Sequence, residues 1–186
     1  TYNYIPVLSI AGFDGSGGAG IQADMKTFSA LGCYATSVLT ALPVQNTQGV
    51  RSIYPIPDVA VREQIQTILD DIFPKAIKIG MVHTSELVQI ITDTLGRYPA
   101  TPVVFDPVMV ATSGHKLIEE STIRTLVEQL FPITTVLTPN MDEAAILAEM
   151  DVKTLDEMYI AGEKILKLGC QSVLLKGGHL QTSMLT

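Results

Sequence analysis

The chain has 186 residues, of which 47 % are hydrophobic and 17 % charged, with a formal net charge of −7. That balance suits one folded domain with its own core and excludes a disordered segment. It also argues against a nucleic-acid partner, because the 12 Lys and Arg are scattered among 19 Asp and Glu with no basic cluster.

The first element is a strand, "IPVLSI" (5–10); the opening "TYNYIPVLSIAG" has no basic leader and too short an apolar run for a signal peptide. A loop follows in which five of the nine positions from Gly12 to Gly20 are glycine, and a helix is expected over 19–31. "YATSVLTAL" (34–42) and "RSIYPI" (51–56) read as strands. The stretch from Phe28 to Val50 is uncharged but broken by Gly32, Pro43, Asn46 and Gly49, so it reads as buried strand and loop rather than a membrane span. Helix 58–72 places Val61, Ile65, Ile68, Leu69 and Ile72 on one face. "AIKIG" (76–80), helix 84–97, "PVVFD" (102–106) and helix 119–131 come next, then "TTVLT" (134–138), helices 140–149 and 154–168, and "SVLLK" (172–176). Asp58, Ser85 and Asn140 are expected as caps or first-turn residues, and Pro132 and Gly169 as helix stops. Cys33 and Cys170 lack metal-ligand spacing and sit in apolar surroundings, as reduced, buried thiols of a cytoplasmic protein do.

Strands alternating with helices, several of them apolar throughout, predict a mostly parallel sheet between helices. The carboxyl ends of the strands read "AGFDG", "LPVQN", "KIGMV", "FDPVM", "LTPN" and "LKGGH", and these hold nearly all the polar and glycine signals. Ligands of such sheets bind beyond those ends, so the six segments are expected on one rim.

Gly15-Ser-Gly-Gly-Ala-Gly20 fits the dinucleotide pattern G-x-G-x-x-G, but "SVLTALPVQN" supplies no acidic residue to end the second strand. No Gly-Lys-Ser/Thr follows, so the P-loop pattern also fails. A tight turn that uses glycine for backbone room, or a loop against a small substrate with Asp24 turned towards it, remain. Asp106 directly follows an apolar strand, where a carboxylate must be solvated, paired or metal-bound. Asn140 and Glu143 have capping-box spacing, yet with Asp106 the carboxylates suit Mg²⁺ held through waters. Lys176 before Gly177-Gly178 suits a phosphate or is simply an exposed lysine. Gln45 and Asn46 offer amides to a heterocycle edge, or form an ordinary turn. His83, His115 and His179 are not spaced as zinc ligands, and Ser16 lies in no G-x-S-x-G. Taken together the rim favours phosphoryl transfer.

"AGFDGSGGAGIQADMKTFSALG", "ALPVQNTQGV", "KIGMV", "DPVM", "TPNMDEA" and "LKGGH" resemble the hydroxymethylpyrimidine/phosphomethylpyrimidine kinases of thiamine biosynthesis, which are ribokinase-like, along residues 5–180. The resemblance implies a three-layer α/β sandwich with a central mostly parallel sheet. It implies ATP- and Mg²⁺-dependent phosphorylation of 4-amino-5-hydroxymethyl-2-methylpyrimidine and of its monophosphate, by a homodimer without nucleic-acid or membrane partners. Carried onto matching positions, Asp24 and Gln45 would hold the aminopyrimidine edge, and Gly12, Ala19, Met81 and Val108 would line its pocket. Asp106 and Glu143 would organise Mg²⁺, with Asn140 and Lys176 at the nucleotide phosphates. Some relatives accept pyridoxal, so a pyridoxal kinase is the alternative, beside a non-catalytic pyrimidine-binding module. The family's later "GTGC"-like helix N-terminus, which receives the transferring phosphate, has no counterpart in these 186 residues, and no catalytic residue is assigned. The expectation is therefore one kinase domain lacking its C-terminal part, either a fragment or a natural truncation, without turnover of its own.

Overall fold

The computed structural model describes residues 3–109 and 118–178. In chain order the elements are β1 (Ile5–Ala11), α1 (Gly20–Ala30), β2 (Cys33–Leu39), β3 (Ala41–Asn46), β4 (Gly49–Pro55), α2 (Asp58–Asp71), β5 (Ala76–Ile79) and α3 (Ser85–Leu95). They continue with β6 (Val103–Phe105), α4 (Glu120–Thr125), β7 (Val136–Leu137), α5 (Met141–Ala148) and α6 (Leu155–Leu166). Five strands form a parallel sheet in the order β2-β1-β5-β6-β7. Beyond β7, Val173 bridges Leu137 and Lys176 bridges Asn140, so the expected strand 172–176 is present only as isolated parallel pairings.

The chain runs one way along the sheet from β1 to β2, then jumps back over β1 to β5 and continues outward. That reversal makes the carboxyl ends of the adjacent strands β1 and β5 the topological switch point, where the loops diverge and leave a crevice. Right-handed crossovers then put α1 on the opposite face of the sheet from α2, α3 and α4.

The two faces differ chemically. On the α2–α3 side, Leu8, Ile10, Val38 and Ile79 join Val61, Ile65, Val88 and Ile91 in a core cluster whose members here are 0 % exposed. Each such side chain contributes roughly 1.5–3 kcal/mol by leaving water. Phe105 and Phe131 extend that core with an edge contact, 6.2 Å between centroids. On the α1 side the same strands turn Ser9 and Lys78 outward as register partners, and α1 buries none of its own residues.

Three elements depart from the sequence expectation. The run 34–42 is not one strand: the ladder with β1 ends at the Thr40 N–H bond to the Ala11 carbonyl, and there the Thr40 hydroxyl bonds the Met81 carbonyl instead of a sheet neighbour. β3 then pairs with β4 as a separate antiparallel hairpin, so Gln45 and Asn46 lie on a hairpin arm, with a bulge between Val44 and Gln45. The helix expected over 119–131 passes from α4 through a π turn (Leu126–Leu130) into a 3₁₀ turn (Phe131–Ile133), and Pro132 sits in that last turn instead of stopping the helix before it. A residue without an N–H fits there because the 3₁₀ turn asks little of its donor.

Caps follow the local chemistry. Thr84, not Ser85, caps α3, its side chain accepting from Leu87 N–H at 3.2 Å; Ser85 and Asp58 are first-turn residues. Both cysteines are free, Cys170 buried and Cys33 only half-buried. Among the described residues no helix is long and apolar enough to cross a membrane.

Candidate functional site

The glycine loop closes on itself. Ile21 N–H donates to the Gly12 carbonyl at 3.0 Å, and Gly20, at φ +57°, has no room for a side chain: a Cβ there would sit 2.3 Å from the Gly12 oxygen. Asp14, 2 % exposed, turns its carboxylate into the loop. Oδ1 accepts from Ser16 N–H (3.0 Å) and the Ser16 hydroxyl (2.7 Å), and Oδ2 from Gly18 N–H (3.0 Å) and Ala19 N–H (2.8 Å). The Gln45 amide and then the Ser16 hydroxyl beside it hold the Asp14 carboxyl well below the usual carboxylate range, in spite of its burial. The N–H groups that would cradle a dinucleotide's pyrophosphate are thus spent on the loop's own anion. Sequence reading passed over Asp14; its signal was a short acceptor standing just ahead of the N–H groups of Ser16, Gly18 and Ala19.

The crevice at the switch point is framed by this loop, the start of β3 and the end of β5. Phe13 N–H donates to the Ala41 carbonyl at 3.0 Å, and the Met81 methyl lies 3.6 Å from where a Gly12 Cβ would stand. Gly12 is buried, Met81 and Gln45 half-buried, and Ala19 exposed as the residue preceding α1. Val108 is half-buried in the loop after β6, further along the rim. Asp24 does not stand alone against a ligand: Oδ2 accepts from the Ser9 hydroxyl at 2.6 Å and pairs with the Lys78 ammonium at 2.9 Å. Ser9 and Lys78 escaped the sequence reading, although each is the single polar residue between buried apolar neighbours on its strand.

A second cluster stands along the same edge, at the ends of β6 and β7. Asp106 N–H donates to the Ile79 carbonyl, and Thr138 N–H to the Phe105 carbonyl, so the strand ends step sideways in register. Asp106 Oδ1 pairs with Lys176 at 2.7 Å and accepts from the Thr138 hydroxyl at 3.3 Å. Glu143, 2 % exposed, accepts Asn140 N–H at 2.8 Å on Oε2 and Met109 N–H at 3.4 Å on Oε1, while the Asn140 side chain accepts Glu143 N–H. The capping box foreseen in the sequence is therefore present, and it holds the two residues in place on the rim. Burial pushes the Glu143 carboxyl up, and the Asp106 charge adds to that, against the Asn140 N–H and Lys176. Two carboxylates answered by one exposed lysine make a locus short of positive charge, which fits a divalent cation carried in with phosphate oxygens. Among the described residues no group of three or more His, Cys, Asp or Glu could hold a metal by itself. His115 and His179 lie outside the described residues.

The chain matches the family model described as phosphomethylpyrimidine kinase over residues 14–186. It is 46 % identical over 177 residues to the hydroxymethylpyrimidine/phosphomethylpyrimidine kinase of Escherichia coli (strain K12), covering 95 % of this chain and 66 % of that protein. The crystal structure of phosphomethylpyrimidine kinase from Clostridium difficile 630 superposes with a TM-score of 0.88 at 44 % identity, covering 96 % of this chain and 78 % of that one. The ADP complex of Bacillus subtilis pyridoxal kinase superposes with a TM-score of 0.86 at 38 % identity, covering 97 % and 68 %. The chain spans about two thirds of the length of the curated relative from Escherichia coli.

Proposed function

The chain belongs to the phosphomethylpyrimidine kinase family, and on that premise we propose that its protein transfers the γ-phosphoryl group of ATP to 4-amino-5-hydroxymethyl-2-methylpyrimidine, and then to the monophosphate, in thiamine biosynthesis. The observation that carries this is a division of the rim into two parts. At the β1–β5 switch point the crevice offers side-chain acceptors and apolar walls, and its glycine loop keeps no free N–H nest for a phosphate. Along the same edge stands the Asp106–Lys176–Glu143 cluster. One part suits a ring with an exchangeable amine, the other a polyphosphate and its cation.

Phosphoryl transfer asks for position and charge neutralisation more than for covalent chemistry. Gly12, Ala19, Met81 and Val108 line the ring's pocket, with Asp24 and Gln45 on its polar edge. The glycine turn keeps the ring close to the end of β1, because no side chain intervenes at Gly12. Lys176 and Asn140 face the nucleotide phosphates, and Lys176 exchanges part of its pairing with Asp106 for them. Asp106 and Glu143 are the carboxylates that would hold Mg²⁺, which supplies neutralisation of the phosphate charge when bound. The same reading takes the protein as a cytoplasmic homodimer. The apolar hairpin residues Leu42, Val44, Ile53 and Tyr54, 37 %, 44 %, 45 % and 58 % exposed, support a second copy.

The test is ADP release by the intact protein with ATP and Mg²⁺, offered the pyrimidine alcohol or pyridoxal. The proposal expects turnover on the pyrimidine, with mono- and then diphosphate as products. Turnover confined to pyridoxal, the activity named for the Bacillus subtilis neighbour, or none on either, would overturn it.

A further inference from the structure

Asp24 uses only half of its carboxylate within the protein. Both the Ser9 hydroxyl and the Lys78 ammonium bind Oδ2, at 2.6 and 2.9 Å. Oδ1 takes no hydrogen bond from the described residues. The side chains of Asp24 and Lys78 are 16 % and 22 % exposed, so the pair is neither sealed in a core nor open on the surface. Its place is specific. Ser9 and Lys78 are register partners on β1 and β5, the two strands of the switch point, one residue pair below Ile10 and Ile79. A Cβ on Gly80 would lie 3.0 Å from the Lys78 Nζ, so the ammonium reaches up to the strand end beside the crevice. α1 carries Asp24 about one turn from its N-terminus, which is fixed to Gly12 by the Ile21 hydrogen bond.

We infer that Ser9 and Lys78 are positioning residues that hold the Asp24 carboxylate through Oδ2, leaving Oδ1 as a fixed acceptor that selects substrates carrying an amine donor. This inference rests on the pyrimidine reading above. A carboxylate accepts and never donates, so a ring with an exocyclic amine satisfies Oδ1, while a ring that lacks the amine leaves the acceptor unanswered. Lys78 balances the charge that this orientation requires, and Ser9, 0 % exposed, stops the carboxylate from rotating. The ammonium is held 2.9 Å away on the far oxygen, so Lys78 acts on the substrate through Asp24 and not by direct contact.

Three variants of the intact protein test this: Lys78→Met, Asp24→Asn, and the two together. The readouts are KM for the pyrimidine alcohol, KM for ATP and kcat, with 5-hydroxymethyl-2-methylpyrimidine, which lacks the 4-amino group, as second substrate. Each single change is expected to raise the pyrimidine KM about tenfold or more, the scale of one hydrogen bond to a charged group. KM for ATP and kcat stay within about twofold. Because Lys78 works through Asp24, the double variant is no worse than Asp24→Asn alone, and the preference for the amine-bearing ring disappears in all three. Should Lys78→Met leave Asp24 unpaired and fail to fold, the double variant, which removes both charges, decides the matter against Asp24→Asn. Multiplying effects in the double variant, or an intact amine preference in Lys78→Met, would overturn the inference while leaving the kinase reading standing. A wild-type protein that does not use the pyrimidine alcohol at all would overturn both.

Discussion

A carboxylate that is 2 % exposed persists only if its charge is answered locally, and Asp14 is answered by the Gln45 amide from β3 and by Ser16, Gly18 and Ala19 of its own loop. The pH dependence follows. Its carboxyl is held well below the ordinary aspartate value of 3.8, so the stabilisation is present above that pH and is lost as the pH falls below it. Asp14→Asn replaces one acceptor oxygen by an amide that cannot receive the N–H groups it faces. We expect it to lower the unfolding free energy by about 2 kcal/mol at neutral pH, the scale of hydrogen bonds to a charged acceptor. The gap to wild type should close as urea denaturation is repeated below pH 3.8. A gap independent of pH would mean that the charge contributes nothing. Asp106, Asn140, Glu143 and Lys176 were legible because each stands at a strand or helix end. Lys78 was not, because its partner is 54 residues away and only the sheet order brings β5 beside β1.

Elements were legible where one local period decided them. α2 keeps Val61, Ile65 and Leu69 on its buried face, as its three-four spacing requires. The β3–β4 hairpin was not legible, because an uncharged run carries no mark at Thr40, where the ladder with β1 ends and the hydroxyl turns to the Met81 carbonyl. At α5 the local code serves two ends at once: Asn140 caps the helix and also stands at the proposed phosphate site. Substitution can separate the roles. Asn140→Ala should cost about 1 kcal/mol of stability, measured by urea denaturation, as loss of an N-cap does. Asn140→Ser keeps a capping oxygen and should recover most of that stability without recovering the wild-type KM for ATP. A serine variant with wild-type ATP kinetics would leave Asn140 a capping residue only.

At the scale of the molecule the strand order does the organising. The reversal at β1 opens a crevice beyond the carboxyl ends of β1 and β5, and the outward steps to β6 and β7 lay a charged cluster beside it on the same edge. Alternation of strands and helices announced the layered sheet and its rim. The order of the strands, and with it the separation of the rim into the proposed ring and phosphate sites, depends on which β-strands pair across the fold, and no local pattern encodes that. On the proposed reading the pyrimidine occupies the crevice against Gly12 and Met81. Methyl-labelled methionine resonances report this directly, since the chain has seven methionines and only some border the crevice. The Met81 methyl stands 3.6 Å from the position a Gly12 Cβ would take, whereas Met158 is buried on α6. Titrating the intact protein with the pyrimidine alcohol should shift the Met81 methyl signal and leave that of Met158 unmoved. A shift at Met158 with Met81 unchanged would rule that placement out.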